Sequence, residues 1–411
     1  MPLLPGLLLV SMQQVALTEF QANNDTILED QDGDRTDWIE LHNFGSTNVD
    51  LGGWFLTDDA FLPTKWTFPS PTVLGPGKYL LVFASDKDRS VAGQELHLNF
   101  KLDSDGEYLA LIRSNGITVH QEFAPEFPAQ YKDTSFGLAF QPTISPNKVY
   151  FQTPTPGSAN GAGGPVIKGV EYEPREVQSG QDITVVAEMA LLTDAVAVDL
   201  RYRVLYQPDS WMPMYDDGTH GDAIAGDQSW TAIIPGNLAG TGEMIRWIAF
   251  ATDADGGVAH YPALHDLNHS PEYLGTMVLD PSLQSSVPIY HWFVETPSQA
   301  NTWQGTQCSL FYDGEFYDNI NVRKRGGSSS SWTKKSYKFD FNRGDHFEFD
   351  KAYGKAEEFN LNTTWSDKSY LRRILCWESY QASGLPACLS FPVHLRQNGE
   401  FFALTTFVEQ V

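Results

Sequence analysis

Between Val15 and Gly157 apolar and polar residues interchange in short runs, and turn-forming pairs separate the runs. Asp37-Trp38-Ile39-Glu40-Leu41 is one such run, Trp54-Phe55-Leu56 follows Gly52-Gly53, and Lys78-Tyr79-Leu80-Leu81-Val82-Phe83 follows Pro76-Gly77. Side chains of an extended strand point alternately to opposite faces, so the pattern predicts short strands joined by turns, the signature of a β-sandwich. Trp38, Trp54 and Trp66 are then core and corner residues, because aromatic side chains mostly serve burial; a carbohydrate platform is the alternative. Thr153 to Pro165 is rich in Gly, Pro and Asn and predicts a linker. Beyond it DITVVAEM, VDLRYRVLY, SWTAIIPG and EMIRWIAFATDADG alternate again and predict a second, smaller sandwich. Ala251 to Ser286 loses the alternation and reads as the module's end plus a connector. Asp367 to Ala382 has helical periodicity: Leu371, Ile374, Leu375 and Glu378 share a face, Asp367 stands as a cap, and Gly384 with Pro386 ends the run.

The segment RKRGGSSSSWTKKSYKFDF, Arg323 to Phe341, joins a Gly/Ser turn to a strand mixing lysines with aromatics. Such turns expose backbone N–H groups to anions, and a lysine on the next strand reaches the same anion as a point charge. In an extended strand Lys335 shares a face with Tyr337, Phe339 and Phe341, while Lys334 points away with Ser336, Lys338 and Asp340. An ammonium among core-type side chains needs a partner or a ligand. A solvated hairpin with snorkelling lysines fits the same spacing. Arg372 and Arg373, at the start of the predicted helix, read as solvated.

Composition narrows the function. A chain of 411 residues suits two or three domains, and 13% aromatic residues suffice to fill them. The net charge of -25, with Asp+Glu 52 against Lys+Arg 27, argues against nucleic acid or an anionic membrane as partner. It suits an extracellular protein or a cation binder. Cys308, Cys376 and Cys388 form no framework for the first domains and leave at least one free thiol. For Cys376 and Cys388, a disulfide and two buried thiols both fit. The apolar run near Met1 lacks preceding basic residues and reads as a remnant leader over residues 1–14. No stretch is long and apolar enough to span a bilayer. His260, His265, His269 and His291 lack metal-motif spacing, and neither G-x-S-x-G nor a Walker-type loop occurs.

Two loops concentrate carboxylates. Asp30, Asp32, Asp34 and Asp37 alternate around Gly33, offering the hard oxygen ligands calcium takes, although the EF-hand positions for glycine and the closing glutamate are not met. A solvated acidic loop fits equally. Asp216, Asp217, Asp222 and Asp227 lie in MYDDGTHGDAIAGDQSW. They offer a second calcium site, or they cap turns through backbone N–H groups. This loop resembles the DDG-x-x-GD-x-x-x-GD loop of immunoglobulin-like modules in bacterial surface proteins.

TEFQANN, DWIELHNFGSTNVDLGGWFLTDD, KWTFP, LGPGKYLLVFAS, LNFKLDSDGEYLALI and TPTPGSANG resemble the lamin-tail domain of bacterial exoproteins. The resemblance implies an immunoglobulin-like fold used for attachment. RKRGGSSSSWTKKSYKFDF, FNLNTTWSDKSYLRRILCWESYQASGLPA and VHLRQNGEFFALTTFVEQ, in that order, resemble the amino-terminal part of the CotH atypical protein kinases. That resemblance implies a kinase-like fold binding Mg·ATP and acting on a protein substrate. It places Arg325, Ser328, Ser329, Lys335 and Glu409 at the nucleotide, with Lys335 on phosphate and Glu409 pairing with it or holding metal. The chain departs at Asn398-Gly399-Glu400-Phe401-Phe402-Ala403, where alanine replaces the family's glycine. The family's catalytic and metal-binding aspartates are expected beyond Val411, which makes the chain as given a partial, inactive kinase domain. The expected architecture is mainly β and multidomain: a leader at 1–14, an immunoglobulin-like lamin-tail sandwich at 15–157, a linker at 158–168, a second sandwich at 169–280, and an α+β kinase-like N-terminal lobe at 281–411. The expected function is a secreted or surface CotH-type kinase; the alternative is a non-catalytic adhesion protein with calcium-stabilised sandwiches and a cell-surface or extracellular partner.

Overall fold

The computed structural model describes residues 14–139, 147–190, 195–350 and 354–409. The leader expected over 1–14 lies, except for Gln14, outside them. The chain forms two compact units that part between Val166 and Ile167.

The first unit is a sandwich of two sheets. One runs in the order Lys148–Phe151, Ser135–Leu138, Val15–Gln21, Asp37–Asn43, Tyr79–Ala84, Leu96–His97; the other runs Val119–Phe123, Leu109–Ile112, Phe55–Thr57, Trp66–Thr67. Val15–Gln21 is buried along its whole length, as a strand covered on both faces must be. Phe20 meets Phe123 and Phe127 with ring centroids 4.9 Å apart. Trp38, Trp54 and Trp66 are core residues, at 0%, 8% and 2% exposure. The closing TPTPGSANG segment is tied to this core through carboxylates: Thr155 donates its N–H to Glu19 Oε1 at 2.9 Å, and Gly157 donates to Glu40 Oε2 at 2.6 Å.

The second unit packs a sandwich and a barrel into one body, where the sequence pattern suggests two separate domains. The strands expected from alternation are present as Ile183–Met189, Ala195–Val204, Ser229–Ile234 and Met244–Asp253. Ile167–Glu173, Ile183–Met189 and Ser229–Ile234 form one sheet. The other includes Met244–Asp253 and also Leu274–Leu279 and Val258–Tyr261, both within the stretch read as connector. From Ile289 on, strands close into a barrel in the order Ile289–Phe293, Thr306–Tyr312, Glu315–Arg325, Ser336–Asp340, Glu358–Asn362, Glu400–Glu409, Ser390–Gln397. A parallel pairing of Ile289–Phe293 with Ser390–Gln397 closes it. Tyr290, Trp292, Phe339, Phe359, Leu361 and Phe407 fill its interior.

Sandwich and barrel share a core of Met244, Met277, Phe293 and Phe311. Beside it Arg246, 6% exposed at its side chain, donates to Asp318, 2% exposed, over 3.1 Å. The other donors to Asp318 are Ser309 Oγ at 2.7 Å and the Tyr273 N–H at 2.9 Å. Gly275 is required at this joint, because a Cβ there would stand 2.6 Å from the Phe316 ring.

The predicted helix forms over Arg372–Ala382. It starts five residues later than expected: Leu371, not Asp367, is the N-cap and its side chain makes no capping bond, although Asp367 accepts the Arg372 N–H at 3.0 Å from the preceding turn. Of the apolar residues expected on one face only Ile374 is buried; Leu371 and Leu375 are about half exposed, at 48% and 53%.

Candidate functional site

The outer face of the barrel and the Arg372–Ala382 helix enclose a cleft of about 880 Å³. The alternation that sends Phe359 and Leu361 into the core turns Asn360 and Asn362 toward the cleft. Arg325, at the end of its strand, and Glu409 line the same space, as do Arg372 and Arg373 from the helix. Glu409 Oε2 accepts the Leu389 N–H at 3.2 Å.

The charges on this face are unevenly balanced. Lys338 pairs with Asp340 at 2.8 Å and with Glu358, and Arg323 reaches Asp340 at 3.9 Å. Arg372 Nε lies 3.6 Å from Asp367. Arg325 and Arg373 have no ion-pair or hydrogen-bond partner among the described residues. Burial, then the positive charge of Arg373 beside it, holds the Arg325 guanidinium below the usual arginine pKa. Arg373 is exposed overall, yet burial at its guanidinium lowers its pKa too, with Asp367 opposing. The cleft therefore contains two cations that no carboxylate among the described residues contacts directly, with Glu358 and Asp367 acting on them only from a distance, an arrangement suited to an anion.

The sequence-predicted residues divide between this cleft and the turn before it. Arg325 and Glu409 are brought together in the cleft. Ser328 and Ser329 lie in a 3-10 turn, Ser328–Ser331, that follows Gly326 at φ +97°. The strand begins only at Ser336, so the face alternation expected for Lys334 and Lys335 does not extend to them. Lys335 Nζ donates to the carbonyls of Ser330 at 3.2 Å and Trp332 at 3.1 Å, bracing its own turn. Lys334 donates to Thr364 Oγ1 at 2.8 Å and to the Leu404 carbonyl, and burial, then Lys368, lowers its pKa. Sequence reasoning missed Asn360, Asn362 and Arg373; the alternation in Phe359-Asn360-Leu361-Asn362 carried the signal for the asparagines. Cys376 and Cys388 also line the cleft as free thiols.

The two acidic loops differ. Asp30, Asp32 and Asp34 converge, but on a lysine: Lys87 Nζ lies 2.5, 2.8 and 2.8 Å from their oxygens, and Arg89 lies 2.7 Å from Asp32. Although burial works against it, the three carboxylates raise the Lys87 pKa. Arg89 first, then Lys87, pulls Asp32 down to about 2. Asp37 stands apart; it accepts the Leu102 N–H, and burial pushes it up to about 6. In the second unit Asp216, Asp222 and Asp227 bring carboxylate oxygens within 4.8 Å of one another. Among the described residues no lysine or arginine pairs with them. Asp216 accepts the Gly226, Asp227 and Gln228 N–H groups, and Asp217 turns instead to Thr219 and His220.

Comparison with known proteins agrees with the two sequence resemblances. Residues 21–123 match the family described as Lamin Tail Domain, and residues 322–411 match the family described as CotH kinase protein. No curated protein matches the chain. Among solved structures, the crystal structure of Br derivative BhCBM56 is 12% identical, with 25% of this chain and 85% of that chain covered and a TM-score of 0.17. The cycloalternan-degrading enzyme from Trueperella pyogenes is 11% identical, with 39% and 20% covered and a TM-score of 0.19. Scores this low say nothing of the fold. The chain is thus similar to the lamin tail domain over residues 21–123, in its first unit, and to the CotH kinase protein family over residues 322–411, in its second.

Proposed function

We propose that residues 322–411 are the nucleotide-handling part of a CotH-type protein kinase and take Mg·ATP into the cleft between barrel and helix. The observation that carries this reading is that Arg325 and Glu409, both inside the family match, line one cleft. The donor set fits the ligand: a guanidinium matches phosphate oxygens, and a carboxylate lining the same cleft is a hard ligand for magnesium. When bound, Mg·ATP supplies the phosphoryl group for transfer to a protein acceptor. Lys335 and the serines shape the turn that leads from Arg325 into the next strand. The lamin tail domain serves attachment at the cell surface or outside the cell, a setting that the acidity of the chain suits. Titration calorimetry of the protein with Mg·ATP tests the reading. Binding is expected, and Arg325→Ala should weaken it at least about tenfold, the scale of one lost charge-assisted contact. Absence of binding to the unaltered protein overturns the reading.

A second reading is favoured by the contrast between the acidic loops: calcium stabilises the sandwich of the second unit through Asp216, Asp222 and Asp227. These carboxylates converge with no basic side chain among them, while Lys87 already fills the equivalent place in the first unit.

A further inference from the structure

Arg373 stands on the helix and Arg325 on the sheet, yet both line one cleft, and among the described residues neither guanidinium has an ion-pair or hydrogen-bond partner. The neighbouring cations are all engaged: Arg323 and Lys338 with acidic side chains, Arg372 with Asp367, and Lys334 and Lys335 with oxygen acceptors of the protein. Two like charges that lack a directly bonded counter-ion repel, and an anion between them relieves that repulsion while giving each planar fork its acceptors. Asn360 and Asn362 add neutral amides to the same wall. We propose that Arg325 and Arg373 form a two-guanidinium clamp for the polyphosphate chain of the nucleotide, with Arg373 as a binding residue contributed by the helix. The clamp rests on the nucleotide reading above. It also makes the helix part of the site: its position relative to the sheet sets the distance between the two guanidiniums, and ligand binding draws helix and sheet together.

The test compares Mg·ATP, inorganic tripolyphosphate and adenosine on the full chain by calorimetry, with hydrogen exchange of the Arg372–Ala382 helix as a second readout. Arg373→Ala is expected to weaken ATP and tripolyphosphate alike by at least about tenfold. It should leave the melting temperature within the range of a surface substitution and abolish the helix protection that tripolyphosphate gives the unaltered protein. Arg373→Lys, which keeps the charge and loses the fork, should recover part of the affinity. If Arg373→Ala binds ATP as the unaltered protein does while Arg325→Ala does not, the clamp is wrong and the nucleotide reading stands. If the unaltered protein binds tripolyphosphate with this arginine dependence but does not bind Mg·ATP, the nucleotide reading falls and takes with it the assignment of the two arginines to a nucleotide. If neither anion binds, both fall.

Discussion

Glu40 has no exposed surface, and its two oxygens meet donors from distant parts of the first unit: Thr18 Oγ1 at 2.6 Å and the Gly157 N–H at 2.6 Å. Burial pushes its pKa from 4.5 up to about 7; the two hydrogen bonds oppose this and the charge of Glu19 adds to it. Between pH 4.5 and about 7 the folded chain therefore keeps a proton that the unfolded chain has released. Stability from this group is full below the lower value and declines as pH rises through the window. Asp37, pushed up to about 6, and Glu107, up to about 7, act in the same direction. Glu40→Gln should flatten the decline. The amide oxygen accepts from Gly157 and the amide nitrogen donates to Thr18 Oγ1, so both contacts survive without a proton to lose. Melting temperatures of both proteins across this pH range check it; parallel curves would show that Glu40 is ionised in the fold.

At the scale of elements, what alternation and turns encode was legible and what depends on distant partners was not. Most strands of both sandwiches follow from local pattern, as does the helix, but Val258–Tyr261 and Leu274–Leu279 do not, and the helix begins at Arg372 rather than at Asp367. The Gly/Ser turn was legible as a turn, but the side chains around it were misplaced by assuming that the strand reached back to Lys334. Its start at Ser336 frees Lys335 to bond the turn's own carbonyls. The acidic loops show the limit more sharply, since the lysine that fills the first lies 57 residues from Asp30 in sequence. Asp30 and its neighbours alone look like calcium ligands; with Lys87 among them the place of a cation is already taken. Calcium should therefore leave amide exchange in the 28–37 loop unchanged and slow it in the 215–228 loop. A ligand of the native state stabilises by mass action. Lys87→Met leaves three converging carboxylates without their cation, so the first loop should exchange faster and become calcium-responsive. An Asp227→Asn protein that keeps its calcium response would remove the second loop from consideration.

For the whole molecule the decisive contact is the one by which sandwich and barrel become one unit. Neither the Gly275 backbone nor the aromatic faces around it could close with a side chain at position 275, and the buried pair Arg246 and Asp318 is satisfied only when both halves are present. Asp318 also accepts from Ser309 and Tyr273, and its own carbonyl accepts from Asn342 Nδ2 at 2.6 Å. Local pattern could not reveal this, because Arg246 reads as an outward residue of an alternating strand until another sheet covers it. Removing one member of a buried pair leaves the other charge desolvated and alone, which costs about 3–5 kcal/mol. Asp318→Ala should thus destabilise the second unit by that order, whereas Arg246→Met with Asp318→Leu, which strands no charge, should cost less. Hydrogen exchange locates the effect. Amides of Met244–Asp253 in the sandwich and Glu315–Arg325 in the barrel should exchange at a common limiting rate, and Asp318→Ala should raise both together. Acceleration confined to the barrel strand would mean that the sandwich folds on its own and merely leans on its neighbour. Joint acceleration means that the barrel bearing the cleft is held in shape by a core extending into the sandwich, so that substitutions far from Arg325 alter nucleotide binding through the stability of the unit as a whole.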